Sequence, residues 1–189
     1  MTDRPVHIAC FGDSLTEGYG IDPDDALPMV LERMLRNEGY AVRCLNHGIS
    51  GETAEDGRRR LDSVLGDTPD AMVLEFGAND CFVSDPVNEI RDNLSAIIEA
   101  FQARNTPILL VGISALTNFD GAYQESFNPI FRQLADKYDL SLFPDILAPY
   151  FGKTELMLLD QMHPNAQGVA AIARGLLPQM IELVNTASQ

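Results

Sequence analysis

The chain has 189 residues, enough for one domain with a full hydrophobic core. Its make-up, 46% hydrophobic and 22% charged, is that of an ordinary globular protein. With 13 Lys and Arg against 28 Asp and Glu, the net charge of −15 argues against nucleic acid and against anionic membrane surfaces as partners.

Met1 to Pro5 runs straight into an apolar strand, Val6 to Phe11, with no apolar leader before it. No segment approaches the ~18 apolar residues of a membrane helix. A cytoplasmic protein without stable membrane insertion is expected, or a periplasmic or secreted one if a leader has been trimmed. The first strand ends in the turn Gly12-Asp13-Ser14-Leu15, whose Asp or Ser can also serve simply as a helix cap. Asp22, Asp24 and Asp25 lack the spacing and the closing Glu of a calcium loop and read as solvated acids at a helix start. Leu27, Val30, Leu31, Met34 and Leu35 recur at helical spacing, and Gly39 stops that helix. Ala41 to Leu45 is the second strand, and Asn46 to Gly51 is the loop beyond it. A capped helix from Thr53 carries Leu61, Val64 and Leu65.

Asp70 to Phe76 is the third strand and ends in Gly77-Ala78-Asn79-Asp80. Asp85-Pro86 opens a long helix with proline in its first turn, and Ile90, Leu94, Ile97, Ile98 and Phe101 form its buried stripe. Pro107 to Ile113 is a fourth strand, and the loop from Ser114 to Gly121 leads to a helix through Phe127, Ile130, Phe131, Leu134 and Tyr138. Leu140 to Phe143 is a short fifth strand, followed by an irregular stretch to Leu159 and the loop Asp160 to Asn165. A last helix runs from about Ala166 to Val184, with Pro178 expected to kink or break it. Strands alternating with helices specify a three-layer α/β/α sandwich with a mainly parallel five-stranded sheet, here as a single domain over residues 1–189. The three cysteines, Cys10, Cys44 and Cys81, do not suggest a disulfide scaffold.

Ser14, Gly48 and Asn79 all fall just past strand carboxyl ends, where ligands collect in open parallel sheets. A serine nucleophile needs a base, and the base needs a group to fix its tautomer. His163 can be the base, with Asp160 three residues earlier to hold it. The Ser14 and Gly48 N–H groups and the Asn79 amide can converge on an oxyanion. Singly, each has an ordinary reading as a turn, cap or loop residue.

Together and in order, Gly12-Asp13-Ser14-Leu15, Gly48 within Asn46 to Gly51, Gly77-Ala78-Asn79-Asp80 and Asp160-x-x-His163 resemble the SGNH hydrolases, also called the GDSL family. Over nearly the whole chain the likeness is nearest the bacterial thioesterase, lysophospholipase and arylesterase branch. The resemblance implies a flavodoxin-like fold, Ser14 as nucleophile, His163 as base and Asp160 as orienter. It also implies Gly48 and Asn79 as oxyanion donors beside Ser14. It implies a small acyl-ester or thioester substrate, with no cofactor and no metal. A monomer is expected. The loop Ser114 to Gly121 and the pair Cys81-Phe82 depart from that branch where the acyl pocket is shaped.

Among competing readings, an α/β-hydrolase lacks its Gly-x-Ser-x-Gly elbow, and the three histidines show no metal-ligand spacing. A non-catalytic module keeping every catalytic group is disfavoured, and Cys81 as nucleophile has no sequence partner. A carbohydrate O-acetylesterase is the alternative activity. Candidate pocket walls are Leu15, Ile49, Phe82, Leu116, Phe119 and Met162, several of which can equally seal the core edge.

Overall fold

A computed structural model describes residues 4–115 and 121–189, so the pocket candidates Leu116 and Phe119 lie outside the described residues. The chain runs β1 (Val6–Gly12), α1 (Ser14–Glu17), α2 (Leu27–Asn37), β2 (Val42–Gly48), α3 (Ala54–Arg59), α4 (Leu61–Gly66) and β3 (Ala71–Glu75). It continues α5 (Ala78–Val83), α6 (Val87–Gln102), β4 (Ile108–Val111), α7 (Gly121–Phe127), α8 (Ile130–Tyr138), β5 (Ser141–Phe143) and α9 (Ala166–Ala187). All four strand pairings are parallel, in the order β2-β1-β3-β4-β5. Helices α2 and α9 pack together over one face, while α3, α6 and α8 pack in sequence over the other. Both faces being covered explains why β1, β3 and β4 read as continuous apolar runs.

The chain leaves β1 toward β2 on one side and later returns to place β3 on the other. Connections diverge there, leaving a crevice at the carboxyl ends of β1 and β3. Phe11 and Phe76 meet edge to face beneath it, with ring centroids 5.1 Å apart.

Several elements differ from the sequence reading for identifiable reasons. β2 extends through Asn46, His47 and Gly48 because pairing with β1 continues to the match of Gly12 with Gly48. β2 is an edge strand, so polar residues are tolerated at its end. The single helix expected after Thr53 is two, broken where Arg60 turns inward to donate to the His47 and Gly12 carbonyls. Pro129 likewise divides α7 from α8, and the side-chain Oδ1 of Asn128 beside it accepts from the Ala115 N–H at 2.8 Å. Pro86 caps α6 from outside instead of occupying its first turn. The expected break at Pro178 is absent: α9 runs through it, since Pro178 and Arg174, whose carbonyl loses its partner, are both exposed. The Asp22 side chain caps a short 3-10 turn at Pro23–Asp25 and accepts from the Asp24 N–H. No helix among the described residues is long and apolar enough to cross a membrane.

Candidate active site

The turn after β1 is built by Asp13. Its carboxylate caps α1 by accepting from the Leu15 N–H at 3.0 Å, which makes Ser14 the first residue of that helix. The Ser14 Oγ lies 3.0 Å from His163 Nε2, joining residues 149 apart in the chain. His163 Nδ1 lies 2.7 Å from Asp160 Oδ2, and Asp160 Oδ1 accepts from the Met162 and His163 N–H groups. Burial acts to raise the Asp160 carboxyl, but the His163 bond and these two backbone donors outweigh it and hold it below its usual value. Ser14, His163 and Asp160 therefore form one chain of hydrogen bonds, in which Oγ can surrender its proton to an imidazole whose far nitrogen is fixed by a carboxylate.

The loop carrying Asp160 and His163 is pinned from behind. The buried Tyr150 hydroxyl donates to the Met162 carbonyl at 3.0 Å, and Asn165 caps α9 while donating to the Glu155 carbonyl. Tyr19 packs against the His163 ring from the solvent side, with centroids 4.5 Å apart and the rings tilted by 39°. Neither tyrosine stands out in the sequence: Tyr19 reads as a loop residue and Tyr150 as part of an irregular stretch.

Asn79 sits in the first turn of α5, a helix absent from the sequence reading. Its Nδ2 donates to the Glu52 carbonyl at 2.8 Å and, at a longer 3.3 Å, to Asp13 Oδ2. The next residue, Asp80, accepts from the Ala54 N–H and so ties α3 to α5; burial pushes its carboxyl up to about 6. Cys81 is also buried, which pushes its thiol up to about 11 and keeps it a poor nucleophile at neutral pH.

Gly48 does not lie where the sequence reading put it. It ends β2, its N–H donates to Asn46 Oδ1 at 2.9 Å, and it does not line the cleft. Its lack of a side chain serves packing: a Cβ there would sit 2.2 Å from the Glu17 backbone nitrogen. Gly48→Ala is accordingly expected to cost about 1–3 kcal/mol of stability, read as a lower urea midpoint, because α1 would have to move off β2. An unchanged midpoint would refute this packing role.

Three residues on, Gly51 lines the cleft together with Ser14, Asn79 and His163. It occupies the third position of a turn closed by the Glu52 N–H on the Ile49 carbonyl, with φ +84°, a conformation suited to glycine. Glu17 braces this turn by accepting from the Ser50 N–H and hydroxyl. Neither the Ser14 nor the Gly51 N–H has a hydrogen-bond partner among the described residues.

The cleft beside Ser14 holds about 430 Å³, within the range of small-molecule sites. Leu15, Phe82 and Met162 line it as expected from sequence, but Ile49 does not. The walls that sequence reasoning missed are Ile113, Leu147, Tyr150 and Phe151. Leu15 and Ile113 are buried, while Phe82 and Met162 are exposed at the mouth. No group of three or more His, Cys, Asp or Glu side chains among the described residues is arranged to hold a metal ion.

The family model of the GDSL-like lipases and acylhydrolases matches residues 10–171. The chain is 30% identical to the arylesterase of Vibrio mimicus over 176 residues, covering 93% of this chain and 88% of that one. It is likewise 30% identical to thioesterase 1/protease 1/lysophospholipase L1 of Escherichia coli K12, covering 94% and 85% of the two chains. Among solved structures, AlinE4, an SGNH-hydrolase family esterase, is 36% identical and superposes with a TM-score of 0.81 over 96% of this chain and 97% of its own.

Proposed function

The chain belongs to the GDSL-like lipase/acylhydrolase family and is an ester hydrolase, and on that premise we propose that it works through an acyl-enzyme formed on Ser14. The observation that carries the reading is the unbroken relay from Ser14 Oγ through His163 to Asp160. His163 takes the Ser14 proton as Oγ attacks the acyl carbonyl, then returns it to the departing alcohol or thiol. A water activated by His163 releases the acid in the second half-reaction. Asp160 fixes the imidazole tautomer throughout. We propose the Ser14 and Gly51 N–H groups as oxyanion donors, joined by the Asn79 amide when its longer bond to Asp13 is exchanged for the oxyanion. Gly51 takes the role the sequence reading gave to Gly48. One catalytic domain spans residues 1–189, acting as a monomer.

The acyl chain of an ester or thioester substrate lies in the apolar cleft, between Leu15 and Ile113 at its base and Phe82 at its mouth. Each buried methylene contributes ~0.8 kcal/mol, so kcat/KM should rise about threefold to fourfold per methylene until the cleft is full. The test is a series of p-nitrophenyl esters from acetyl to dodecanoyl, with an acyl-CoA and a lysophospholipid beside them, on wild type and Phe82→Ala. The variant should lose severalfold on the optimal chain and much less on acetyl. A wild type fastest on acetyl, or a length profile unmoved by Phe82→Ala, would overturn the acyl-cleft reading; the first outcome would point to a carbohydrate O-acetylesterase.

A further inference from the structure

Beneath the Ser14 turn lies a second pair of acids that the relay does not use. Glu75, at the end of β3, and Asp13 are both fully buried and adjacent, the Asp13 backbone meeting the Glu75 carboxyl directly. Glu75 Oε2 also accepts from the Thr16 hydroxyl at 2.8 Å and from the Asp13 N–H at 3.3 Å. Asp13 accepts from the Leu15 N–H and, weakly, from the Asn79 amide. Among the described residues no Lys or Arg forms an ion pair with either carboxyl. The nearby Arg60 guanidinium is engaged with Glu52 and with the Gly12 and His47 carbonyls. The other ionisable groups that face the pair are Asp80 from α5 and the phenol of Tyr150, neither a cation.

Two adjacent carboxyls in a dry site with no cation do not both ionise near neutral pH. One proton stays with the pair there. We propose that Glu75 is a positioning residue for ester hydrolysis: by sharing a proton with Asp13 it keeps that carboxyl neutral, so that the Asn79 amide is free to donate to the substrate oxyanion. The proposal rests on the reading of Asn79 as an oxyanion donor. Each carboxyl accepts two hydrogen bonds, but one of those to Asp13 is the long Asn79 bond; once that amide turns to an oxyanion, Asp13 keeps only the Leu15 N–H while Glu75 keeps the Thr16 hydroxyl and the Asp13 N–H, so charge settles on Glu75 and the proton on Asp13. Burial first, and repulsion between the acids second, push Asp13 well above its usual range; burial pushes Glu75 up to about 7. An ionised Asp13 would hold the Asn79 N–H in a charge-assisted bond and set a negative charge beside the oxyanion. Deprotonation of the pair at high pH should therefore lower kcat.

Infrared difference spectra of wild type labelled with carbon-13 aspartate, recorded from pH 6 to 10, test the pair directly. One protonated aspartic carboxyl should persist at pH 8, where Asp80, at about 6, is ionised. Its absence would overturn the proposal without recourse to any variant. The pH dependence of kcat on a soluble short-chain ester, corrected for spontaneous hydrolysis, tests the consequence. Glu75→Gln removes a negative charge and offers Asp13 an amide donor, so the alkaline limb should move down by a pH unit or more. Asp13→Asn should abolish that limb, and KM should change less than twofold in both. A merely structural role would lower kcat equally at every pH; profiles parallel to wild type would overturn the proposal. Labelling of Ser14 by a fluorophosphonate separates the two failures. Without it the proposed site falls; with it and unshifted profiles, only the role of Glu75 does.

Discussion

Ser14→Ala is expected to reduce kcat by about 10⁶-fold, the scale seen when a serine nucleophile is removed from a working relay. The alanine variant keeps the oxyanion donors and the cleft, so it should still bind ester and still accelerate attack by water, by about 10³ over the uncatalysed rate. What it loses is the covalent route, because no other nucleophile is in place. Cys81 lines the same cleft, but burial keeps it protonated. The check is kcat on p-nitrophenyl butyrate together with fluorophosphonate labelling and mass spectrometry. Wild type should take one adduct, on Ser14, and the variant none. An adduct on another residue, or a variant within tenfold of wild type, would remove Ser14 from the chemistry.

Asp160→Asn should lower kcat by up to ~10⁴-fold, and for a more specific reason than loss of charge. The asparagine oxygen can keep the position that accepts from the Met162 and His163 N–H groups. Its amide nitrogen then faces His163 Nδ1 as a donor, and the imidazole must accept there. The ring proton moves to Nε2, which turns a donor toward the Ser14 Oγ and leaves no lone pair to take its proton. Since Asp160 is exposed, thermal stability should hardly move. A variant with near-normal kcat would show that His163 is oriented by something else, for which the Tyr19 ring packed against it is the candidate.

The parts of this site legible in the sequence are those where chemistry and local pattern coincide. Ser14 follows an apolar run, and Asp160 and His163 fall within one turn of each other, so residue type and spacing alone place the relay. The glycine proposed as an oxyanion donor was not accessible in that way. Gly48 and Gly51 share one loop-like block, and choosing between them depends on where β2 ends, which pairing with β1 determines. Tyr150 and Tyr19 act through a hydroxyl and a ring face on elements distant in sequence, and nothing local marks them. Glu75 did leave a signal: it is an acid at the end of a strand whose other residues are all apolar. A lone carboxyl in such a strand must be hydrogen-bonded or neutral, and its partner could be found only once the Ser14 turn was seen folded over it. In the fold, the order of strands and helices followed from periodicity, whereas the breaks at Arg60 and Pro129 depended on tertiary contacts and on a missing N–H.

His163 and Asp160, the proposed base and its orienting acid, travel on a single loop, while Ser14, the proposed nucleophile, belongs to the first strand-to-helix turn of the chain. Their one direct link, from Ser14 to His163, forms only when the amino-terminal strand and the carboxyl-terminal fifth of the polypeptide have come together. During synthesis the relay therefore cannot close until the loop carrying Asp160 and His163 has been made and has docked on the Ser14 turn. Recovery of turnover in a refolding experiment would report closure of this long-range contact, which the growth of local helix seen by circular dichroism does not.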